Sequence, residues 1–213
     1  MAVVAPVPQQ ARSHATRRRI VDAAARALSR VGYGGATTQV VAAGAGVSQG
    51  ALFKHFPTKA QLLAACVEKN LSRLIERFRA DVRVRRAALA STDARIGPAT
   101  AALWRIFRRP EMQAVFEVYV AARTDAALGR ALAPILDRHR DNIHAESRRL
   151  FPELAASADL AQVVDAVVYA MQGVVLGLFA PDRAADAEHL AFFERLARRE
   201  LEAVLAPTAR GAR

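Results

Sequence analysis

The strongest constraint on this 213-residue chain is the run from Thr37 to Lys59, T-T-Q-V-V-A-A-G-A-G-V-S-Q-G-A-L-F-K-H-F-P-T-K. It reads as two short helices broken by one glycine. Thr37 is a good N-cap for the first, which extends to about Gly44; Ser48 is a good N-cap for the second, which ends near Phe56. Gly46 stands where a sharp turn between helices requires a positive φ, and Val47 follows to plug the angle. Val41, Ala42, Ala45, Val47 and Leu52 supply an inner apolar face, with alanines where the helices approach closest. Pro57 and Thr58 then break the chain, and Lys59 opens a long helix to Arg79 or beyond. The spacing predicts a helix-turn-helix.

In that motif the second helix enters a DNA major groove. Gln49, Ala51 and Lys54 point outward from it. Glutamine can pair with adenine, lysine with guanine, and alanine can touch a thymine methyl. Ser48 caps a helix N-terminus whose unpaired N–H groups favour a nearby phosphate. His55, Lys59 and Thr37 are placed for phosphate contacts, which position a protein without specifying sequence. Arg12, Arg17, Arg18 and Arg19 offer further phosphate or minor-groove contacts. A plain solvated helix face would carry many of the same residue types.

Charge supports the polyanion reading. Residues 1–63 hold 8 Lys/Arg and one acid, Asp22, whereas the remaining chain holds 23 against 19. The formal +11 is therefore a basic head on a nearly balanced body, the footprint of a nucleic-acid module joined to something else. Arginine-rich composition alone would not strip acids from one segment.

The ordered residues carry a resemblance. G-Y-x-x-x-T at Gly32 to Thr37, V-A-x-x-A-G-V-S-x-G-x-L-F-x-H-F-x-x-K at Val41 to Lys59, and T-R-R-R-I-x-x-A-A at Thr16 to Ala24 together resemble the TetR family of one-component bacterial regulators. The resemblance covers about 50 residues. It implies backbone-contacting roles for Thr37, Phe53, His55 and Lys59, an effector site in the C-terminal region, and a dimer built by the last two helices of each subunit. Phe53 stands where the family has tyrosine, so a hydroxyl that would reach phosphate is missing. Gly44, near the end of the second helix, costs about 1 kcal/mol of helix propensity.

Few glycines and prolines in an Ala-, Leu- and Arg-rich chain predict an all-α fold of about nine helices. The expected organisation is a flexible arm at 1–11, a DNA-binding domain at 12–60, and an effector-binding and dimerisation domain at 61–213. The first helix runs from about Arg12 to Val31 and ends at Gly32; Ser91 to Pro98 reads as a loop. Further helices are expected at about 98–108, 110–123, 125–150 (kinked at Pro134), 159–180 and 186–205, the last two separated by a turn around Pro181 and Asp182. On the helix from Glu111, Met112, Val115, Phe116, Tyr119 and Val120 share a face whose centre also receives Arg123. Trp104, Phe107, Met112, Phe116, Tyr119, Arg123 and Tyr169 are the effector-pocket candidates, set against the plainer reading that such residues are core and that Arg123 has a structural partner. Ala166, Ala170, Gly173 and Gly177 form a small-residue stripe. With Phe193 and Leu201 from the last helix they are the dimer-interface candidates.

The chemistry of catalysis is not legible. One cysteine, Cys66, and five scattered histidines give no metal-ligand spacing, and neither a nucleophile elbow nor a phosphate-binding glycine loop occurs. Asp137, His139 and Asp141 read as a solvated helix face. No catalytic residue, metal or cofactor is expected. Leu160 to Ala180 approaches membrane-span length but contains Gln162, Asp165 and Gln172, so no membrane partner is expected and the chain reads as cytoplasmic. The expected function is a ligand-responsive transcriptional repressor: a homodimer on palindromic double-stranded operator DNA, released by a small-molecule effector. The alternatives are a helical enzyme or ligand carrier with an incidental helix-turn-helix, and a nonspecific DNA-binding protein.

Overall fold

A computed structural model describes residues 9–86, 91–177 and 183–205. Among them every regular element is helical. The order is α1 (Gln9–Gly35), α2 (Thr38–Ala45), α3 (Gln49–His55), α4 (Lys59–Arg86), α5 (Thr92–Phe107), α6 (Pro110–Ala122), α7 (Ala126–Leu150), α8 (Asp159–Gly177) and α9 (Arg183–Leu205), with one 3-10 turn at Pro152–Leu154. The chain adopts the expected all-α fold. Helix α1 begins at Gln9 rather than Arg12, so the end of the expected arm is already helical. Residues 1–8 of that arm, and the turn expected around Pro181 and Asp182, lie outside the described residues.

Two compact units divide the chain, Met1–Leu71 with Pro110–Leu136, and Ser72–Arg109 with Asp137–Arg213. Packing thus follows a different line from the 12–60 and 61–213 segments. The start of α4, all of α6 and the start of α7 pack with the N-terminal helices.

In the first unit α1 buries Ile20, Ala24, Ala27 and Leu28 at helical spacing. Helix α2 adds Val41, Ala42 and Ala45, and α3 adds Leu52, fully buried, just ahead of buried Phe56. The short helices are finished by their caps. Thr37 Oγ1 accepts the Val40 N–H at 3.2 Å, and Ser48 Oγ accepts the Ala51 N–H at 3.1 Å. Gly46 has φ 63° and ψ 42°. Its N–H donates to Ala43 O and the Val47 N–H to Ala42 O, both at 3.1 Å, which is the paired pattern of a Schellman turn. A second break lies in α1, where Gly32 has φ 68° and ψ −178°. It ends the regular part of that helix where the sequence places the end, and one further turn follows to Gly35.

The second unit contains one clear departure from expectation. Ser91 to Pro98 is not a loop: Ser91 Oγ accepts the Ala94 N–H at 3.2 Å and caps α5, which runs on through Pro98. The proline removes one helical donor, but Ile96, Ala99, Ala102 and Trp104 are buried along the same helix and hold it. Arg95 anchors the start. Its side chain is 7 % exposed and donates to Ser91 O, Leu150 O and both Glu153 oxygens, tying α5 to the end of α7 and the 3-10 turn. Helix α7 also continues through Pro134 as one element. Helix α5 packs on α9 and α8, and α8 on α9.

The glycines and this anchor give three stability predictions. A Cβ at Gly44 would meet the Ala23 Cβ at 3.6 Å, ordinary contact, so Gly44→Ala should stabilise the protein by about 0.5–1 kcal/mol. Gly46→Ala forces alanine into the left-handed region and should destabilise by about 1–2 kcal/mol. Opposite shifts in Tm are expected. Arg95 holds the Glu153 carboxyl down at about 2 against 4.5, chiefly by hydrogen bonding to the charged form. A depressed carboxyl stabilises the fold above its unfolded value and loses that contribution as pH falls from 4.5 towards 2. Acid titration of the wild type should therefore show a loss of Tm in that window that is smaller in Glu153→Gln.

Candidate functional site

The sequence around α3 forms one exposed face. Gln49, Phe53 and Lys54 are exposed, with Phe53 at 42 %, and Ser48 at the helix start and Thr37 ahead of α2 are exposed as well. Ala51, His55 and Lys59 are half-buried. Leu52, between Ala51 and Phe53, points into the core and fixes the helix rotation. Helix α3 carries Lys54 and His55 in its last turn and has no acid in its first. All the residues that the sequence marks as DNA-facing thus retain solvent access, and Arg17 on α1 does too.

Two cations on this unit rest on aromatic rings. The Arg17 guanidinium carbon lies 4.8 Å from the Phe56 ring centre, and Lys59 Nζ lies 4.7 Å from that of Tyr33. Such contacts orient a cation without neutralising it. Asp22, the single acid of residues 1–63, is ion-paired with Lys69. Nothing in the spacing of Arg17 and Phe56, or of Tyr33 and Lys59, announces these pairs. Cys66, in the same unit, is fully buried, and burial pushes its thiol up to about 12, so it remains an uncharged apolar group.

The effector-pocket candidates fall into separate places. Trp104 and Phe107 are buried in the second unit. The Trp104 ring lies 5.4 Å from Phe193 and 6.1 Å from His189, with the Arg108 guanidinium over it and paired to Asp186 at 3.0 Å. Beside this cluster Asp186 Oδ1 and His189 Nδ1 are buried without a hydrogen-bond partner among the described residues. Tyr169 is 57 % exposed on α8. Met112, Phe116 and Tyr119 lie in the first unit, with Phe116 and Tyr119 edge to face at 6.2 Å and the Tyr119 phenol pushed above its ordinary range by burial.

Two expectations on α6 need correction. Its buried residues are Met112, Ala114, Val115, Phe116 and Val118, while Val120 is 54 % exposed, so the inward face is rotated towards Ala114 and Val118. Arg123 is exposed rather than central to an apolar face, because α6 ends at Ala122 and the chain turns there. His139 differs as well: it is half-buried, and burial lowers it to about 4, so it is neutral at pH 7 and not part of a charged face. A groove of about 360 Å³ in the second unit is lined by Glu76, Phe78, Arg79, Val82, Arg83, Glu146 and Leu150, among others. None of the seven pocket candidates borders it.

The interface candidates also separate. On α8 the stripe Ala166, Gly173 and Gly177 is exposed and Ala170 half-buried, while Val167, Met171 and Val175 turn into the unit's core. Phe193 and Leu201, by contrast, are 0 % and 3 % exposed. They are core of their own unit, because the α9 face that carries them is the one packed against α5 and α8. The exposed apolar residues here are instead Tyr169, Leu176, Phe192 and Leu205.

Comparison with known proteins places these features. The family model for bacterial regulatory proteins of the tetR family matches residues 20–66, from the middle of α1 into α4. An uncharacterized HTH-type transcriptional regulator of Mycobacterium tuberculosis is 34 % identical over 151 residues, 68 % of this chain and 75 % of that protein. The HTH-type transcriptional regulator CymR of Pseudomonas putida is 33 % identical over 132 residues, 62 % of this chain and 63 % of CymR. Among solved structures, a tetR-family transcriptional regulator from Streptomyces coelicolor shares the fold with a TM-score of 0.68 at 18 % identity, covering 91 % of this chain and 83 % of that one. The multidrug binding protein EbrR complexed with imidazole matches at a TM-score of 0.57 and 26 % identity, covering 83 % and 93 %. The helix-turn-helix on α2 and α3, the all-helical fold and these relatives agree: the chain belongs to the TetR family of transcriptional regulators.

Proposed function

We propose that the protein is a repressor that binds a palindromic operator as a homodimer and is released by a small-molecule effector, acting in the cytoplasm and not as an enzyme. The observation that carries the DNA half is the exposed Gln49, Phe53 and Lys54 face of a helix whose rotation is fixed by buried Leu52. Gln49, Ala51 and Lys54 read base edges. Thr37, Ser48, His55, Lys59 and Arg17 hold the backbone, with α3 of each subunit in successive major grooves about 34–36 Å apart. Phe53 lays an apolar ring where a tyrosine would reach phosphate.

The dimer rests on the outer side of α8. Ala166, Ala170, Gly173 and Gly177 let a second helix approach closely, and Tyr169, Leu176 and Phe192 flank them with apolar surface that otherwise faces water. The effector half rests on the second unit. Trp104 with Arg108, and the unpartnered Asp186 Oδ1 and His189 Nδ1, offer a ring, a cation and two polar atoms to a planar polar molecule. EbrR, a multidrug binding protein, supports a ligand-binding body in this fold.

A mobility-shift titration against the DNA upstream of its own gene tests the reading. Sequence-selective, salt-sensitive binding is expected, and equal affinity for any duplex would overturn it. Lys54→Ala and Gln49→Ala should each cost about 1–3 kcal/mol on the preferred site and relax selectivity at one position. Phe53→Tyr should tighten binding to all sequences by roughly 0.5–1.5 kcal/mol through a new phosphate hydrogen bond. A ligand that releases the DNA must itself bind more weakly, by the same factor, when operator is present.

A further inference from the structure

We propose that Glu117 of α6 is the positioning residue that holds the DNA-contacting end of the first unit in its reading geometry, by clamping the backbone at Tyr33 and, through the Tyr33 ring, the ammonium of Lys59. The inference rests on the DNA-binding reading above. It concerns a residue that the helix-turn-helix motif does not include.

The geometry begins at Gly32. Its left-handed φ of 68° takes the chain out of α1, so the next N–H, that of Tyr33, has lost its place in the helical ladder. Glu117 Oε2 accepts that N–H at 2.6 Å, a charge-assisted bond from a helix 84 residues along the chain. The positive φ calls for glycine, and a side chain there would also disturb the clamp. A Cβ at Gly32 would lie 2.7 Å from the same Oε2, so any side chain there would push the carboxylate away even if the backbone tolerated the strain.

The clamped segment leads directly to the candidate phosphate contacts. The Ala36 N–H donates to Gly32 O at 3.0 Å, closing the turn that follows the clamp, and Thr37 comes next as the N-cap of α2. In the other direction the Tyr33 ring carries Lys59 Nζ at 4.7 Å, and Lys59 is the first residue of α4. One carboxylate on α6 therefore fixes the approach to Thr37 and the ring under Lys59. Displacing α6 by an ångström or two would break a 2.6 Å bond and release both. Glu117 follows Phe116, which is buried in the first unit.

The test is operator affinity of the full-length protein as a function of salt, by fluorescence anisotropy. Glu117→Ala should weaken binding about tenfold, as expected if only one molecule in ten keeps the reading geometry. It should also lower the slope of log K against log salt by about 0.9, the loss of one phosphate contact. Glu117→Gln retains an acceptor for the Tyr33 N–H and should restore affinity to within about twofold of wild type. Combining Glu117→Ala with Lys59→Ala should add little to Lys59→Ala alone. A structural role would lower Tm in Glu117→Ala while leaving the salt slope intact, and would give additive losses in the double variant; either result overturns the proposal. If Glu117→Ala does not fold, Tyr33→Leu keeps the backbone bond but removes the ring, and must reproduce the reduced slope; a wild-type slope there is equally fatal. Absence of sequence-selective binding by the wild type would sink the regulator reading itself, and is seen before any variant is made.

Discussion

Helices α2 and α3 contain 8 and 7 residues, and neither length is stable as an isolated helix in water. Everything the first unit can do at DNA therefore depends on interactions that complete them from outside. Two side-chain caps, one Schellman turn at Gly46 and the buried seam of Ile20, Leu28, Val41, Ala42, Ala45, Leu52 and Phe56 supply those interactions. The seam uses mostly the inner faces, so Gln49, Phe53 and Lys54 contribute little to holding the helix and are available to be chosen for recognition. Within the same seven residues, those that hold the helix to the core and those left facing solvent are different.

The two units treat their cations differently. In the second, arginines are spent in ion pairs: Arg79 with Glu146, Arg95 with Glu153, Arg105 with Asp81, Arg108 with Asp186 and Arg198 with Asp93. In the first, Arg17 and Lys59 rest on aromatic rings, and the single acid of residues 1–63 is taken by Lys69. A ring steers a cation yet leaves its charge outside the pair uncancelled, whereas a carboxylate cancels it. The charge asymmetry of the sequence is thus reproduced at the level of contacts. Within residues 1–63 the positive charge therefore exceeds the negative on the segment that carries α3.

How much of this could be read from the sequence depended on how local the causes were. The caps and turn at Thr37, Gly46 and Ser48 join residues three to five positions apart, and each is where the pattern puts it. Ser91 carries the same capping signal beside Gly97 and Pro98, and what decides for a helix is the burial of Ile96, Ala99 and Trp104 and the hold of Glu153 on Arg95, neither of which is local. On α6 the apolar residues nearly encircle the helix, so periodicity alone does not choose a side. Phe193 and Leu201 are buried in their own unit for a related reason. An apolar stripe says that something covers it, and here the cover is the protein's own α5 and α8. Glu117, like the Tyr33 and Phe56 rings, acts across long stretches of chain and leaves no local pattern.

Helix α8 shows how these limits can still constrain an assembly. Asp159–Gly177 is long and apolar enough to cross a bilayer by length and composition, and only 22 % of its most apolar window is buried within the protein. Its buried side is accounted for by Leu160, Val167, Met171 and Val175 against the core. Asp165 is tied to His144 at 2.7 Å, a polar pair that a hydrocarbon environment would penalise. What remains outward is a narrow row of alanine and glycine flanked by Tyr169 and Leu176. Lipid gains nothing from such a row, because small residues present little surface to acyl chains. Another helix gains a close backbone approach, and Tyr169 and Leu176 then cover it along one edge. The proposed dimer is the arrangement in which both the small row and its bulky margins are used.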